Sequence, residues 1–187
     1  LAGITDFIGY SETKSEVTLK GLLTKGEVSK VAAEGSSVEF VLDRTPFYAE
    51  GGGQLADAGK LVLANGCEIF VEDVQQPVPG LFVHRGVVKK GEAVTGSKAI
   101  GEVDLLRRKA ISRAHTATHL IHKAFREFLG ETATQLGSEN SPGRLRFDFP
   151  SPKPVDQKVL QDVEQRVNEV LLKDRKSTRL NSSHITI

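Results

Sequence analysis

Methionine and tryptophan are absent from this chain, and cysteine occurs once, as Cys67. A single thiol cannot close an internal disulfide, so the fold must rest on packing, and this usage suits a reducing compartment. No stretch approaches the ~18 consecutive apolar residues of a membrane-spanning helix. Excess charge is missing too: 25 basic residues stand against 24 acidic ones, a formal net charge of +1. Affinity for nucleic acid is therefore not written into the overall composition, and an RNA contact would need a local basic face. With no Met to start on, a chain that opens at Leu1 reads as an internal fragment of a longer protein. Leu1-Ala-Gly-Ile-Thr-Asp6 carries no targeting pattern, which in a fragment leaves the address open.

What is present describes an ordinary globular chain, 39% hydrophobic and 26% charged over 187 residues. Its texture changes once. Residues 1–103 contain short β-type runs, Val17-Thr-Leu-Lys20 into Leu22-Leu23, Val38-Glu-Phe-Val-Leu42, Cys67-Glu-Ile-Phe-Val71 and Leu81-Phe-Val-His84. Gly26, Gly35, Gly59, Gly66, Gly80 and Gly91 punctuate them, which predicts a compact antiparallel barrel or sandwich. From Asp104 the period becomes helical. Leu105 to Leu129 holds neither Gly nor Pro, Gly130 follows as a C-cap, and Ile111, Ala114, Ile121, Phe125 and Phe128 recur at helical spacing. After Pro142-Gly143, Arg144-Leu-Arg-Phe-Asp-Phe149 alternates as a strand does, with Leu145, Phe147 and Phe149 on one face. Residues 155–172 predict a second amphipathic helix with Val159, Val163, Val167 and Val170 on its stripe. The expected class is α+β: a small antiparallel β-barrel over 1–103, then a helix-plus-sheet region over 104–175. Residues 176–187 continue neither pattern and resemble a translated adaptor tail, so native sequence is expected to stop near Arg175.

Two clusters bear chemistry. His115-Thr-Ala-Thr-His119 puts two imidazoles at i and i+4 on the long helix, neighbours on one face and able to reach a common metal ion. His122 lies one turn on. At ~100° per residue, with His115 as zero, His119 falls at about 40° and His122 at about −20°, along the edge of the apolar face. Spaced histidines at such a boundary are equally readable as ordinary amphipathic residues, because HxxxH without a zincin glutamate is a weak motif. Zinc also wants three or four ligands. Cys67 reads better as a small apolar strand residue than as a third one. His84 and His184 have no partner signal and read as structural or incidental.

The second cluster is Thr45-Pro-Phe-Tyr-Ala-Glu-Gly-Gly-Gly-Gln54. Consecutive glycines let a backbone approach a ligand closely, and Gln54 offers both donors and acceptors. It is not a phosphate loop, since no Lys-Ser/Thr follows the glycines. A flexible hairpin tip is the plainer alternative, although Pro, Phe and Tyr rarely crowd such tips. Arg107, Arg108, Lys109 and Arg113 cluster at the helix start, with Lys123, Arg126, Arg144 and Arg146 beyond. They form either a solvated helix face or a set of contacts to an RNA backbone.

Taken in order, the Thr45–Gln54 segment, His115-Thr-Ala-Thr-His119-Leu120 and Arg144-Leu-Arg-Phe-Asp-Phe149 resemble alanyl-tRNA synthetases and their free-standing editing relatives. The likeness runs from Phe7-Ile-Gly-Tyr10 to Arg175. The resemblance implies a small β-barrel followed by the first part of an editing core that hydrolyses serine or glycine wrongly attached to tRNA(Ala). It implies Thr45 and Gln54 as catalytic-pocket residues that hydrogen-bond the substrate hydroxyl, and His115 and His119 as ligands of Zn2+. The family completes that site from a later CxxxH motif, which this sequence lacks. ATP and Mg2+ would belong to an aminoacylation domain of the parent. The implied partner is mischarged tRNA(Ala), with no DNA and no membrane, in the cytoplasm. A free-standing trans-editing deacylase, or an inactive RNA-binding or structural fragment, are the alternative readings.

Overall fold

The computed structural model describes residues 3–175. The expected foreign tail at 176–187 lies outside the described residues. In chain order the elements are β1 (Asp6–Phe7), β2 (Lys14–Thr24), β3 (Glu27–Ser29), β4 (Val31–Ala33), β5 (Ser37–Leu42), β6 (Arg44–Thr45), β7 (Gly59–Leu63), β8 (Glu68–Val78), β9 (Leu81–Lys90), β10 (Glu92–Val94), β11 (Lys98–Val103), α1 (Leu105–Leu129), β12 (Gly137–Ser141), β13 (Arg144–Asp148) and α2 (Gln157–Arg175). They divide into two compact units, Leu1–Lys109 and Ala110–Ile187, with the boundary inside α1.

The first unit is a closed antiparallel barrel. Its strands run β11-β7-β8-β9-β5-β2, and β11 pairs with β2 to close the ring, while β3 extends β2 as a short hairpin. Closure leaves these six strands without a free edge, which removes the exposed backbone groups that would invite aggregation. Alternation alone does not account for the interior, because the phase slips in two long strands. Along β2 the inward residues are Ser15, Val17 and Leu19, then Leu22. A bulge between Leu19 and Gly21 inserts the extra residue that turns Leu22 inward. In β8 a similar irregularity between Val71 and Asp73 moves the inward set from Ile69 and Val71 to Val74.

Phe40, Phe47, Leu19, Leu22, Leu42, Leu61 and Ile69 are fully buried in one continuous core. Cys67 lies in it, 1% exposed, and burial pushes its thiol up. Such a thiol is a small apolar filler with little thiolate at neutral pH. Gly86 of β9 has a steric reason: a Cβ there would sit 2.0 Å from the Phe70 carbonyl oxygen on the neighbouring strand.

The second unit has its own core. Ile121, Ala124 and Phe125 of α1 pack with Val163 and Val167 of α2 and with Ala133 from the intervening turn. The hairpin of β12 and β13 contributes Leu145 and Phe147, and Phe149 follows it, with Phe125–Phe149 centroids 4.7 Å apart. The α2 helix starts where Asp156 can cap it, its Oδ1 accepting the Lys158 amide at 2.8 Å. Together the two units give the α+β class that the sequence predicts, a small antiparallel barrel followed by helix and sheet.

Candidate functional site

The loop after β6 is pinned at both ends. At its start Thr45 pairs with Phe7 across the short parallel β1–β6 bridge, and the Ile8 amide donates to the Thr45 carbonyl at 2.9 Å. The Thr45 side chain is fully buried, with its Oγ1 2.7 Å from His84 Nε2 and accepting the Phe47 amide at 3.2 Å. At the far end Asp57, 1% exposed, accepts the Tyr48 amide on Oδ2 at 2.7 Å, and the Asp57 amide donates to the Tyr48 carbonyl at 3.0 Å.

Between these ends the chain turns back on itself. Gly51 and Gln54 exchange both backbone hydrogen bonds, at 3.1 and 3.0 Å. Gly52 and Gly53, at φ +60° and +76°, occupy the two central positions of a turn that needs left-handed backbone twice in succession. Open space surrounds the Cβ position of Gly52, so the turn's conformation and not crowding demands glycine there. The Tyr48 hydroxyl donates to the Gly51 carbonyl at 3.3 Å, and the Glu50 amide donates to the Val74 carbonyl at 2.9 Å. The segment is a braced hairpin tip, with Gln54 half-buried at its shoulder.

Arg108 draws the loop together. Its guanidinium forms an ion pair with Asp57 and donates to the carbonyls of Gly9 (2.9 Å) and Pro46 (2.6 Å). Sequence reading places Arg108 in a basic face open to solvent or RNA. Its side chain is instead 19% exposed, and it holds both ends of the loop to the first turn of α1. The only signal of this in the sequence is Asp57 itself, a lone acid in the small-residue run Ala56-Asp57-Ala58-Gly59.

His84 was equally hidden. It is fully buried in β9 at an inward position shared by Phe82, Gly86 and Val88, so strand alternation could have placed it inside. Burial pushes its imidazole down to about 4, with the Phe40 carbonyl acting the other way. It is neutral at physiological pH.

On α1, His115 and His119 stack with ring centroids 4.9 Å apart and planes at 25°. His119 is exposed and His115 half-buried. His122 turns away, its ring 5.2 Å from Phe147 and its Nε2 buried without a hydrogen-bond partner. One turn earlier, Thr118 Oγ1 lies 2.5 Å from Asn140 Oδ1 and 3.0 Å from the Ala114 carbonyl. A hydroxyl has one proton and cannot serve two acceptors. Exchanging the Asn140 amide oxygen and nitrogen resolves the count: Nδ2 donates to Thr118, which donates to Ala114.

The donor set tests whether zinc fits. Among the described residues no group of three or more His, Cys, Asp or Glu side chains is placed to hold a metal ion. Two imidazoles supply half of a tetrahedral site. By themselves the described residues do not make up a zinc site.

The family model described as tRNA synthetases class II (A) matches residues 1–107, more than half of the chain. The chain belongs to that family of class II aminoacyl-tRNA synthetases. It is 58% identical over 173 residues to a protein of Streptomyces avermitilis named alanine–tRNA ligase. A protein of the same name from Acidothermus cellulolyticus is 57% identical over 173 residues, and one from a Nocardioides species 57% over 169. These alignments cover 90–92% of this chain and 19% of each relative, so the chain spans about a fifth of their length.

Proposed function

We propose that this chain is the segment of an alanine–tRNA ligase that handles the charged 3′ end of tRNA(Ala), and that it forms part of an editing region hydrolysing serine or glycine esters of that tRNA. The observation that carries the reading is the stacked pair His115 and His119, at the half-open edge of α1, in a chain whose relatives are named alanine–tRNA ligase. The parent would join alanine to tRNA(Ala) with ATP and Mg2+ bound outside this segment. Its compartment would be the cytoplasm.

The chemistry is reasonable for these residues. A pocket sized for alanine rejects serine poorly, because an added hydroxyl costs little in a small apolar site, so a second site must act on the error. Hydrolysing an aminoacyl ester needs a positioned water and donors aimed at the developing oxyanion. Gln54, half-buried at the braced tip, offers such polar groups to the substrate. Thr45, whose hydroxyl is engaged in the core, serves by holding the loop. His115 and His119 would contribute two donors to a Zn2+ ion completed by ligands from elsewhere in the parent. A second reading, a non-catalytic RNA-binding or structural piece, draws on the incompleteness of the donor set among the described residues.

The two are separated by offering the chain serine-charged and alanine-charged tRNA(Ala), with zinc and with a chelator, after circular dichroism has shown it folded. Selective zinc-dependent release of serine supports editing. A folded chain that binds the tRNA and releases nothing is incomplete for editing, and the second reading then holds if a full-length ligase in which His115 and His119 are alanine still releases serine as its wild type does.

A further inference from the structure

His84 is a buried titratable group to which the proposed function gives no part, and it lies where the barrel passes the chain into loop 46–57. Its ring stacks on Phe40, with centroids 5.1 Å apart and planes at 15°, and meets Phe47 edge-on at 5.8 Å. Both ring nitrogens are engaged, Nδ1 3.3 Å from the Phe40 carbonyl oxygen and Nε2 2.7 Å from Thr45 Oγ1.

The direction of these bonds follows by elimination. A carbonyl oxygen only accepts, so Nδ1 carries the proton. The neutral ring has one proton, which leaves Nε2 bare, and the Thr45 hydroxyl must donate to it. With its proton directed there, Oγ1 presents a lone pair to the Phe47 amide. Phe47 is the second residue of the loop and fully buried. Side-chain orientation at Thr45 therefore decides where the first free amide of the loop is tied.

We propose that His84 is a positioning residue: as the Nδ1–H tautomer it orients the Thr45 hydroxyl, which anchors the Phe47 amide and sets the course of loop 46–57. The proposal rests on the reading that this loop serves the ester substrate. It also assigns roles within the loop. Thr45 has no proton to give to a substrate hydroxyl, so polar contact with the substrate falls to Gln54.

The test compares the wild-type chain with His84→Phe, Thr45→Val, Thr45→Ser and the double variant H84F/T45V. Hydrogen exchange resolves residues 46–57 from the barrel strands, and serine release from mischarged tRNA(Ala) is measured on the same proteins. H84F and T45V should each speed exchange across 46–57 by about tenfold or more, the scale of one lost buried hydrogen bond. The double variant should exchange no faster than either single one, because both break the same chain of bonds. T45S, which keeps the hydroxyl, should stay near wild type. Should H84F fold poorly, T45V against T45S carries the comparison.

Unchanged loop exchange in T45V, a rise spread evenly over the barrel, or effects that add would each overturn the proposal. Where the wild type releases serine, equal losses of kcat/KM in H84F and T45V support it, and a loss confined to T45V overturns it by making Thr45 a direct substrate contact. A wild type that releases no serine bears on the completeness of the editing machinery alone, and the exchange pattern still decides the role of His84.

Discussion

Replacing Asp57 by alanine tests the clasp that holds the loop. Its carboxylate is 2% exposed, accepts the Tyr48 amide and neutralises Arg108, whose side chain is 19% exposed. Breaking a buried ion pair from one side typically costs about 3–5 kcal/mol, because the surviving charge is left without compensation. Here Arg108 keeps the carbonyls of Gly9 and Pro46, which places the expected loss near the lower limit, about 3 kcal/mol. The orphaned Tyr48 amide adds about 1 kcal/mol. Against a total domain stability of about 5–15 kcal/mol this is a large fraction.

The assay is urea unfolding followed by far-ultraviolet circular dichroism, with the slope checked for constancy between variants. The loss should change little with added salt, since a buried pair is weakly screened. Glu39→Ala, which breaks the exposed pair between Arg85 and Glu39, should cost about 1 kcal/mol or less. A loss below about 1 kcal/mol for Asp57→Ala would refute the reasoning. So would full additivity between Asp57→Ala and Arg108→Ala, because partners in one ion pair must couple.

Acid should destabilise the barrel through His84. Its folded value is about 4 against an ordinary 6.5, so between those pH values the unfolded chain holds a proton that the native one does not. Stability then falls from about pH 6.5 to about pH 4, by about 3 kcal/mol in all, and His84→Phe should flatten that part of the profile in denaturant titrations. Zinc should bind the isolated chain weakly and not at all once His115 and His119 are both alanine. Submicromolar binding in calorimetry would show that further ligands complete the site. Gly52→Ala should cost about 1–2 kcal/mol in thermal melts, since φ +60° strains a residue with a Cβ. Gly52→Asn should be much milder, and equal losses for the two would point to crowding instead of backbone conformation.

Local features were readable wherever the chain itself carries the cause. The α1 helix spans Leu105–Leu129, the run free of Gly and Pro, and β13 starts at the alternating Arg144. Neighbours four apart on one helix face must meet, so the contact of His115 with His119 follows from spacing. Strands β7 and β11, which complete the barrel, gave no comparable signal. Their place depends on pairing with each other and on closure through β2, and these contacts join distant parts of the chain. The inward turn of Leu22 and Val74 depends on bulges that only the paired strands define.

The sequence by itself determined the class of each half, the positions of the helices, the paired imidazoles and the family resemblance, because hydrophobic period and residue spacing are properties of neighbours. Tertiary structure alone decided which polar residues are committed to the interior. Arg108 belongs to a clasp and not to a basic face because Asp57, 51 residues away along the chain, lies buried beside it. Thr45 is an anchor because His84, 39 residues on, presents a bare nitrogen to its hydroxyl. A charge or a hydroxyl looks the same in any sequence, and its role follows from the partner that folding brings within hydrogen-bond reach.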